Sequence, residues 1–386
     1  MDSLERFARE KLGRLEQAQL RRELVATDRH AASQARRDGR ELVSFCCNDY
    51  LALSHHPQVV AAAQEATVRY GVGSGASRLV TGNHPLYAAL EERLARWKQT
   101  ESALVFGSGY LANLGIVPAF AGAGDLVVAD ALSHACLFGG ARLSGARVAV
   151  FQHNDLAHCE SLLKELRGAH ARCLLLTDGV FSMDGDRAPV VELQALAEAW
   201  DAWLLVDDAH GLGVVEAGRG SCVVGGRKVD VPLQMGTLSK AVGGYGGYLC
   251  ASASVVSLLV SRARTLVYST GLPPATVAAA CAALDLIACS PELVATPMRN
   301  AADFCARLSL PEPASCIVPL VLGDATAALA ASADLARQGF LVAPIRPPTV
   351  PEGTARLRLT FTAAHTSDVV ARLASAVRPW RERARA

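Results

Sequence analysis

Trp203-Leu-Leu-Val-Asp207-Asp208-Ala209-His210-Gly211 is the stretch on which the fold turns. Its apolar residues stop abruptly at two carboxylates and a histidine, so the run reads as a buried strand whose C-terminal end opens onto titratable groups. Val127 to Ala129, Cys173 to Thr177 and Tyr248 to Ala251 repeat the pattern, bounded by Gly, Asp or Ser. Between them, Leu86 to Trp97 and Pro189 to Trp200 carry the helical apolar period. Buried strands alternating with covering helices predict an α/β fold on a mostly parallel central sheet.

Outward from this core the texture changes. Beyond residue 283, Pro291, Pro297, Pro311, Pro313 and Pro319 punctuate shorter segments. Ile317 to Leu322 and Ala355 to Thr360 read as strands there, and Asp324 to Gln338 and Ser367 to Val377 as helices. The expected organisation is an N-terminal helical segment over residues 1–47, a large domain over 48–283 and a smaller α/β domain over 284–386. In the first segment Leu4, Phe7, Leu12 and Leu15 form an apolar stripe expected to lie against a neighbour, followed by a polar stretch around Ala31 to Arg40.

The chain has 386 residues, with 38 Lys+Arg against 37 Asp+Glu. A net charge of +1 excludes a bulk electrostatic grip on nucleic acid or an anionic membrane. Eleven cysteines, an odd number without any C-x-x-C, read as buried reduced thiols. No run approaches the about 18 apolar residues of a membrane span, and Met1 to Leu24 offers no signal segment. A soluble cytoplasmic protein is the expectation.

In parallel sheets ligands collect beyond the C-terminal strand ends. That rule selects Asp130-Ala-Leu-Ser-His134, Thr177 to Asp186, Asp207 to Gly211, and Gly236-Thr237-Leu-Ser239-Lys240. Only five of the basic residues are lysines: Lys11, Lys98, Lys164, Lys228 and Lys240. The first four lie in charged helical or turn contexts and read as solvated. Lys240 lies among small residues that would admit a flat ligand, where an amine can serve as a Schiff-base nucleophile. Asp207 alone reads as a loop cap and His210 alone as a core histidine. Beside Lys240 they make a set: a carboxylate for a protonated pyridine nitrogen and a donor for a phenolate oxygen, the needs of pyridoxal 5'-phosphate (PLP).

Phe106-Gly-Ser-Gly109-Tyr110-Leu-Ala-Asn113 and Thr237 offer backbone N–H groups and a hydroxyl for a phosphate. Gly71-Val-Gly-Ser-Gly75 lacks the third glycine and leading strand of a dinucleotide fingerprint, and no Gly-Lys-Ser/Thr P-loop ending or G-x-S-x-G elbow occurs. His55-His56 has no further ligand at metal spacing, so no metal site is expected.

Taken in order, Asn48-Asp-Tyr-Leu51, Gly71 to Gly75, Thr81-Gly-Asn-His-Pro85, Ser133-His134, Phe181 to Asp186, Asp207 to Gly211, Thr237 to Lys240, Tyr268-Ser-Thr270 and Arg346-Pro-Pro-Thr-Val-Pro351 resemble the α-oxoamine synthases. These are fold-type I PLP-dependent transferases that condense an amino acid with an acyl thioester. Arg346 to Pro351 and Gly353 to Thr360 are most similar to the branch that joins L-alanine to a pimeloyl thioester, from coenzyme A or an acyl-carrier protein, in biotin synthesis. The resemblance implies that Lys240 carries PLP and moves the α-proton, with His134 stacked on the ring, Asp207 at its nitrogen and His210 at its oxygen. It places Ser182, Gly109, Tyr110 and Thr237 around the cofactor, and Asn48, Arg358 and His134 at the substrate. Ser269 and Thr270 match residues lent to the phosphate by a second subunit, which implies a homodimer. Arg21 and Thr349 match substrate-binding positions, and Arg346 the acyl chain or its carboxylate. Thr81 to Pro85 is the form associated with glycine-using members. Open alternatives are therefore a 2-amino-3-ketobutyrate or 5-aminolevulinate type of condensation, an aminotransferase, and a catalytically idle dimeric scaffold.

Overall fold

Seven strands form the central sheet of the computed structural model, which describes residues 2–17 and 20–385. They are β1 (Ser102–Phe106), β2 (Leu126–Asp130), β3 (Arg147–Phe151), β4 (Cys173–Asp178), β5 (Trp203–Asp207), β6 (Leu233–Thr237) and β7 (Gly247–Ala251). Their spatial order is β1-β7-β6-β5-β4-β2-β3. The five strands from β6 to β3 are parallel, and β7 runs antiparallel to both its neighbours. The expected mostly parallel sheet is present.

Alternation along each strand explains why the runs are apolar throughout. Leu174, Leu176 and Leu205 pack on one face against Ile116 and Val117 of the helix Gly109–Phe120. Their neighbours Cys173, Leu175, Leu204 and Val206 pack on the other, against Leu163 and Leu193. With both faces covered, no position is left for a polar alternate. The sequence signals β6 only by its polar end at Gly236 to Lys240, because Leu-Gln-Met-Gly-Thr breaks the apolar run, yet all five residues are buried.

The parallel strands bring Asp130, Asp178, Asp207 and Thr237 to a single edge of the sheet. The antiparallel β7 starts at that edge, with Gly247 opposite both Thr237 and Phe106. Residues 107–109, which follow β1, therefore meet the same edge.

The helical expectation for residues 1–47 holds only for Ser3–Gln17. Gln34–Arg37 and Arg40–Ser44 pair antiparallel about Asp38-Gly39, both of positive φ. Asp-Gly is a strong two-residue turn signal, obscured here by the arginines around it. Phe340–Leu341 adds to this hairpin in parallel, tying it to the C-terminal part of the chain. The stripe Leu4, Phe7, Leu12 and Leu15 is exposed in the single chain.

In the C-terminal part, Ala355–Thr360 pairs antiparallel with Ile317–Gly323 and with Ala343–Ile345. A continuous buried cluster joins Tyr50, Leu212 and Leu238 to Phe304, Phe361 and Leu373. The period of two puts Arg356 and Arg358 on one face of their strand, aimed at the loop after β4. Arg356 pairs with Asp184, and Arg358 Nε donates to the Ser182 carbonyl. Among the described residues no single helix is long and apolar enough to cross a membrane.

Candidate active site

At the shared sheet edge lies a pocket of about 240 Å³, lined among others by Gly109, Tyr110, His134, Asp207, His210, Thr237 and Lys240. These seven predicted residues come from four separate segments.

The floor is built around Asp207. Its Oδ2 accepts from Asn113 Nδ2 at 2.7 Å, and its Oδ1 from the Ala209 amide at 3.0 Å. The carboxylate is thereby aimed before any ligand arrives. Asp178, at the end of the adjacent β4, is also buried; burial and the nearby Asp207 charge push its carboxyl well above the ordinary range. Asp178 Oδ1 accepts from the His134 amide at 3.0 Å, which fixes the start of the helix Ala135–Ser144.

His134 Nδ1 meets the Cys136 amide at 3.3 Å and its thiol at 2.8 Å. Burial and the Asp207 charge push that thiol up to about 12, so it keeps its proton. Nδ1 is therefore the accepting nitrogen, which leaves the ring proton on Nε2. Burial lowers the His134 pKa, with Asp207 opposing and Lys240 assisting. Burial likewise holds His210 well below its usual value, helped by Lys240 and Arg358.

Lys240 is lowered to about 8, because burial outweighs the carboxylates of Asp207 and Asp178. Lys98 corrects the expectation that the other lysines are solvated. It is buried, and its Nζ donates to Asp208 Oδ2 at 2.7 Å and to the Arg219 carbonyl at 2.8 Å. Its pKa is raised: burial alone would lower it, and Asp208 more than compensates. The two lysines are thus told apart by their partners, Lys98 locked in a buried ion pair and Lys240 held half-buried as a ready amine.

The opposite end of the pocket is the N-terminus of the helix Gly109–Phe120, where the first N–H groups have no intrahelical acceptor. Ser108 caps it by accepting from the Leu111 amide at 3.1 Å. A Cβ on Gly109 would come within 3.3 Å of Thr237, and one on Gly247 within 2.6 Å of the Gly109 nitrogen. Glycine at both positions keeps this cradle open. The Thr237 hydroxyl meets Ser239 Oγ at 2.7 Å beside it. A phosphate cradle, a pre-aimed carboxylate and a lysine of depressed pKa are the donor set PLP requires, and the residues fit it.

Asn48 and Arg358 stand together beyond the pocket, both terminal guanidinium nitrogens reaching Asn48 Oδ1 at 3.3 Å. Ser182 meets Arg358 through its carbonyl. Arg21, Arg346 and Thr349 line a second cavity of about 740 Å³. Arg22, next to Arg21, donates to Thr349 Oγ1 at 3.4 Å. Ser269 and Thr270 do not line the PLP-sized pocket; Thr270 is exposed and bridges to Ser77. Sequence reasoning assigned no role to Asn113, Asp178, Cys136 or Tyr50, although all four lie in or beside segments it singled out.

A family model described as aminotransferase class I and II matches residues 40–377. An 8-amino-7-oxononanoate synthase from Methylorubrum populi is 60% identical over 376 residues, 97% of this chain and 95% of that one. The chain belongs to this family. Among solved structures, a serine palmitoyltransferase variant from S. paucimobilis with bound PLP and myriocin superposes with a TM-score of 0.91 at 27% identity, covering 100% of this chain and 99% of that one. The 8-amino-7-oxononanoate synthase of Francisella tularensis gives 0.74 at 26% identity, covering 89% and 98%. The fold-type I architecture expected for this family of PLP transferases is thus the one observed, from end to end of the chain.

Proposed function

We propose that the protein binds PLP and condenses L-alanine with a pimeloyl thioester, of coenzyme A or an acyl-carrier protein, to give 8-amino-7-oxononanoate, CO₂ and the free thiol in biotin synthesis. The observation that carries the reading is the meeting of Lys240, Asp207, His134 and His210 in one pocket. The named relatives support the choice of substrates.

Bound PLP supplies an electron sink for the pair left at the alanine α-carbon when its proton departs. Lys240 holds the cofactor and then moves that proton; a pKa near 8 leaves a usable fraction of free amine at neutral pH. Asp207, braced by Asn113 and the Ala209 amide, keeps the ring nitrogen protonated. His210 would hold the ring oxygen, and His134 would cover the ring face and offer Nε2–H to the substrate. Gly109, Tyr110 and Thr237 hold the phosphate, with Ser182 near the ring oxygen. Asn48 and Arg358 clamp the alanine carboxylate, a charge-assisted grip that orients the bonds at the α-carbon. Arg21, Arg346 and Thr349 receive the acyl chain and its distal carboxylate. Ser269 and Thr270, outside the chain's own pocket, serve the phosphate site of a second copy in a homodimer. All eleven cysteines are free, which suits a reducing cytoplasm.

The test combines cofactor and turnover. Purified protein should take up PLP with visible absorbance, borohydride should fix it on Lys240, and thiol and CO₂ should appear with L-alanine and a pimeloyl thioester. Faster thiol release with glycine and an acetyl or succinyl thioester would move the assignment to the glycine-using branch. Absence of PLP absorbance after reconstitution would end it.

A further inference from the structure

His210, Tyr50, Asn48 and Arg358 form a chain of polar contacts, in which the roles above leave only Tyr50 unused. Tyr50 is 0% exposed. Its hydroxyl lies 2.6 Å from His210 Nδ1 and 3.3 Å from Asn48 Oδ1. A phenol has a single hydrogen to donate, and it faces an amide oxygen, which can only accept, and an imidazole nitrogen, whose role follows its tautomer. Asn48 Oδ1 already receives the Arg358 guanidinium, and the imidazole nitrogen is the nearer.

Both titratable partners keep the states this requires. Burial pushes the Tyr50 pKa up, so the phenol retains its hydrogen. Burial, Lys240, Arg358 and His134 all push the His210 pKa down, so its ring carries one proton. With Nδ1 accepting from Tyr50, that proton sits on Nε2. Among the described residues none hydrogen-bonds Nε2, while His210 lines the pocket.

We infer that Tyr50 is a positioning residue that fixes His210 as the Nε2–H tautomer, so that the histidine enters the pocket as a donor, and that couples this choice to the Asn48–Arg358 clamp. The opposite tautomer would aim a lone pair at a phenolate oxygen and repel it. The identity of that oxygen rests on the proposed function; the tautomer of the protein itself does not.

The first arm of the test is nuclear magnetic resonance of cofactor-free protein carrying ring-¹⁵N histidine, with His210 assigned by its loss in His210→Gln. The expected pattern is an unprotonated Nδ1 and a protonated Nε2, with Tyr50→Phe yielding a mixed state. A wild-type His210 protonated at Nδ1, or at both nitrogens, overturns the inference. The second arm titrates Tyr50→Phe with PLP. About tenfold weaker cofactor binding is expected, together with a moved pH midpoint of the bound absorbance band and a raised KM for L-alanine. A merely structural role would lower the unfolding temperature and the active fraction while leaving the band's midpoint and KM in place; that result also overturns the inference. Should wild-type protein bind no PLP, the proposed function fails, and the cofactor-free spectra still decide the tautomer.

Discussion

Asn113 Nδ2 donates to Asp207 Oδ2 across 2.7 Å, so the helix that begins at Gly109 both opens the phosphate cradle and aims the carboxylate. Asn113→Ala strips a donor from a buried oxygen, which costs about 1–3 kcal/mol in such settings. The Asn113 Oδ1 atom is itself buried without a partner, so its removal offsets part of the loss and the low end of that range is expected in urea unfolding. Asn113→Asp sets a second carboxylate against Asp207 and should retain PLP more weakly than the alanine variant in equilibrium dialysis. Equal retention by the two would show that Asp207 does not depend on this contact.

Lys98 and Asp208 form a pair in which both side chains are at most 1% exposed. Asp208 also accepts from the Ser221 amide at 2.9 Å, so the pair closes the loop after β5 onto the helix Leu86–Lys98. Lys98→Met leaves a buried carboxylate without its cation and should cost about 3–5 kcal/mol. Lys98→Met combined with Asp208→Asn should recover part of it, read as a higher unfolding temperature than the single variant. A double variant less stable than the single one would mean that Asp208 is held chiefly by the loop amides.

These residues mark where the sequence is readable. Asp207, His210 and Lys240 follow the C-terminal ends of strands, and it is their occurrence as a set at those ends that makes them legible as candidate site groups. Asn113 and Tyr50 carry no charge and lie where a helix or core would place them, so their polarity becomes functional only once Asp207 and His210 are seen opposite. Lys98 misled because a lysine between Trp97 and Gln99 at a helix end reads as solvated; the residues that bury it, Asp208 and Arg219, are more than a hundred positions away. Arg21 and Thr349 became legible only through family resemblance. Spacing could not join two residues so far apart in the chain, and the structure brings them to a shared cavity.

His153 bridges two carboxylates, Nδ1 to Asp130 at 3.0 Å and Nε2 to Asp186 at 2.7 Å. Burial would lower its pKa, yet the two acids outweigh burial and take it up to about 10. A histidine raised from its ordinary value contributes stability that is complete below about pH 6.5 and fades as pH rises through about 10. His153→Gln should therefore lose about 1.5–3 kcal/mol at pH 6.5, with the gap from wild type narrowing by pH 10.5. Because Asp186 closes the loop that presents Ser182 to Arg358, the KM for alanine should rise in the same variant. A stability gap that stays constant across this pH range would rule out the charged bridge.

Lys240 supplies the complementary case, a half-buried amine whose folded pKa lies near 8, below its ordinary 10.5. Between those values the unfolded chain holds a proton that the folded chain has released, so this residue's contribution to stability rises with pH. Below pH 8 the cofactor-free protein carries the cost of a partly desolvated ammonium. Lys240→Met removes that cost and should stabilise the cofactor-free protein at pH 7 by roughly 1–2 kcal/mol, allowing for partial solvent screening. The gain should shrink through pH 8 to 10.5 and vanish above it, while borohydride fixation of PLP is lost at every pH. A methionine variant less stable than wild type at pH 7 would show that the lysine is held by Asp207 and Asp178 as an ion pair, and not as the strained amine that the chemistry needs.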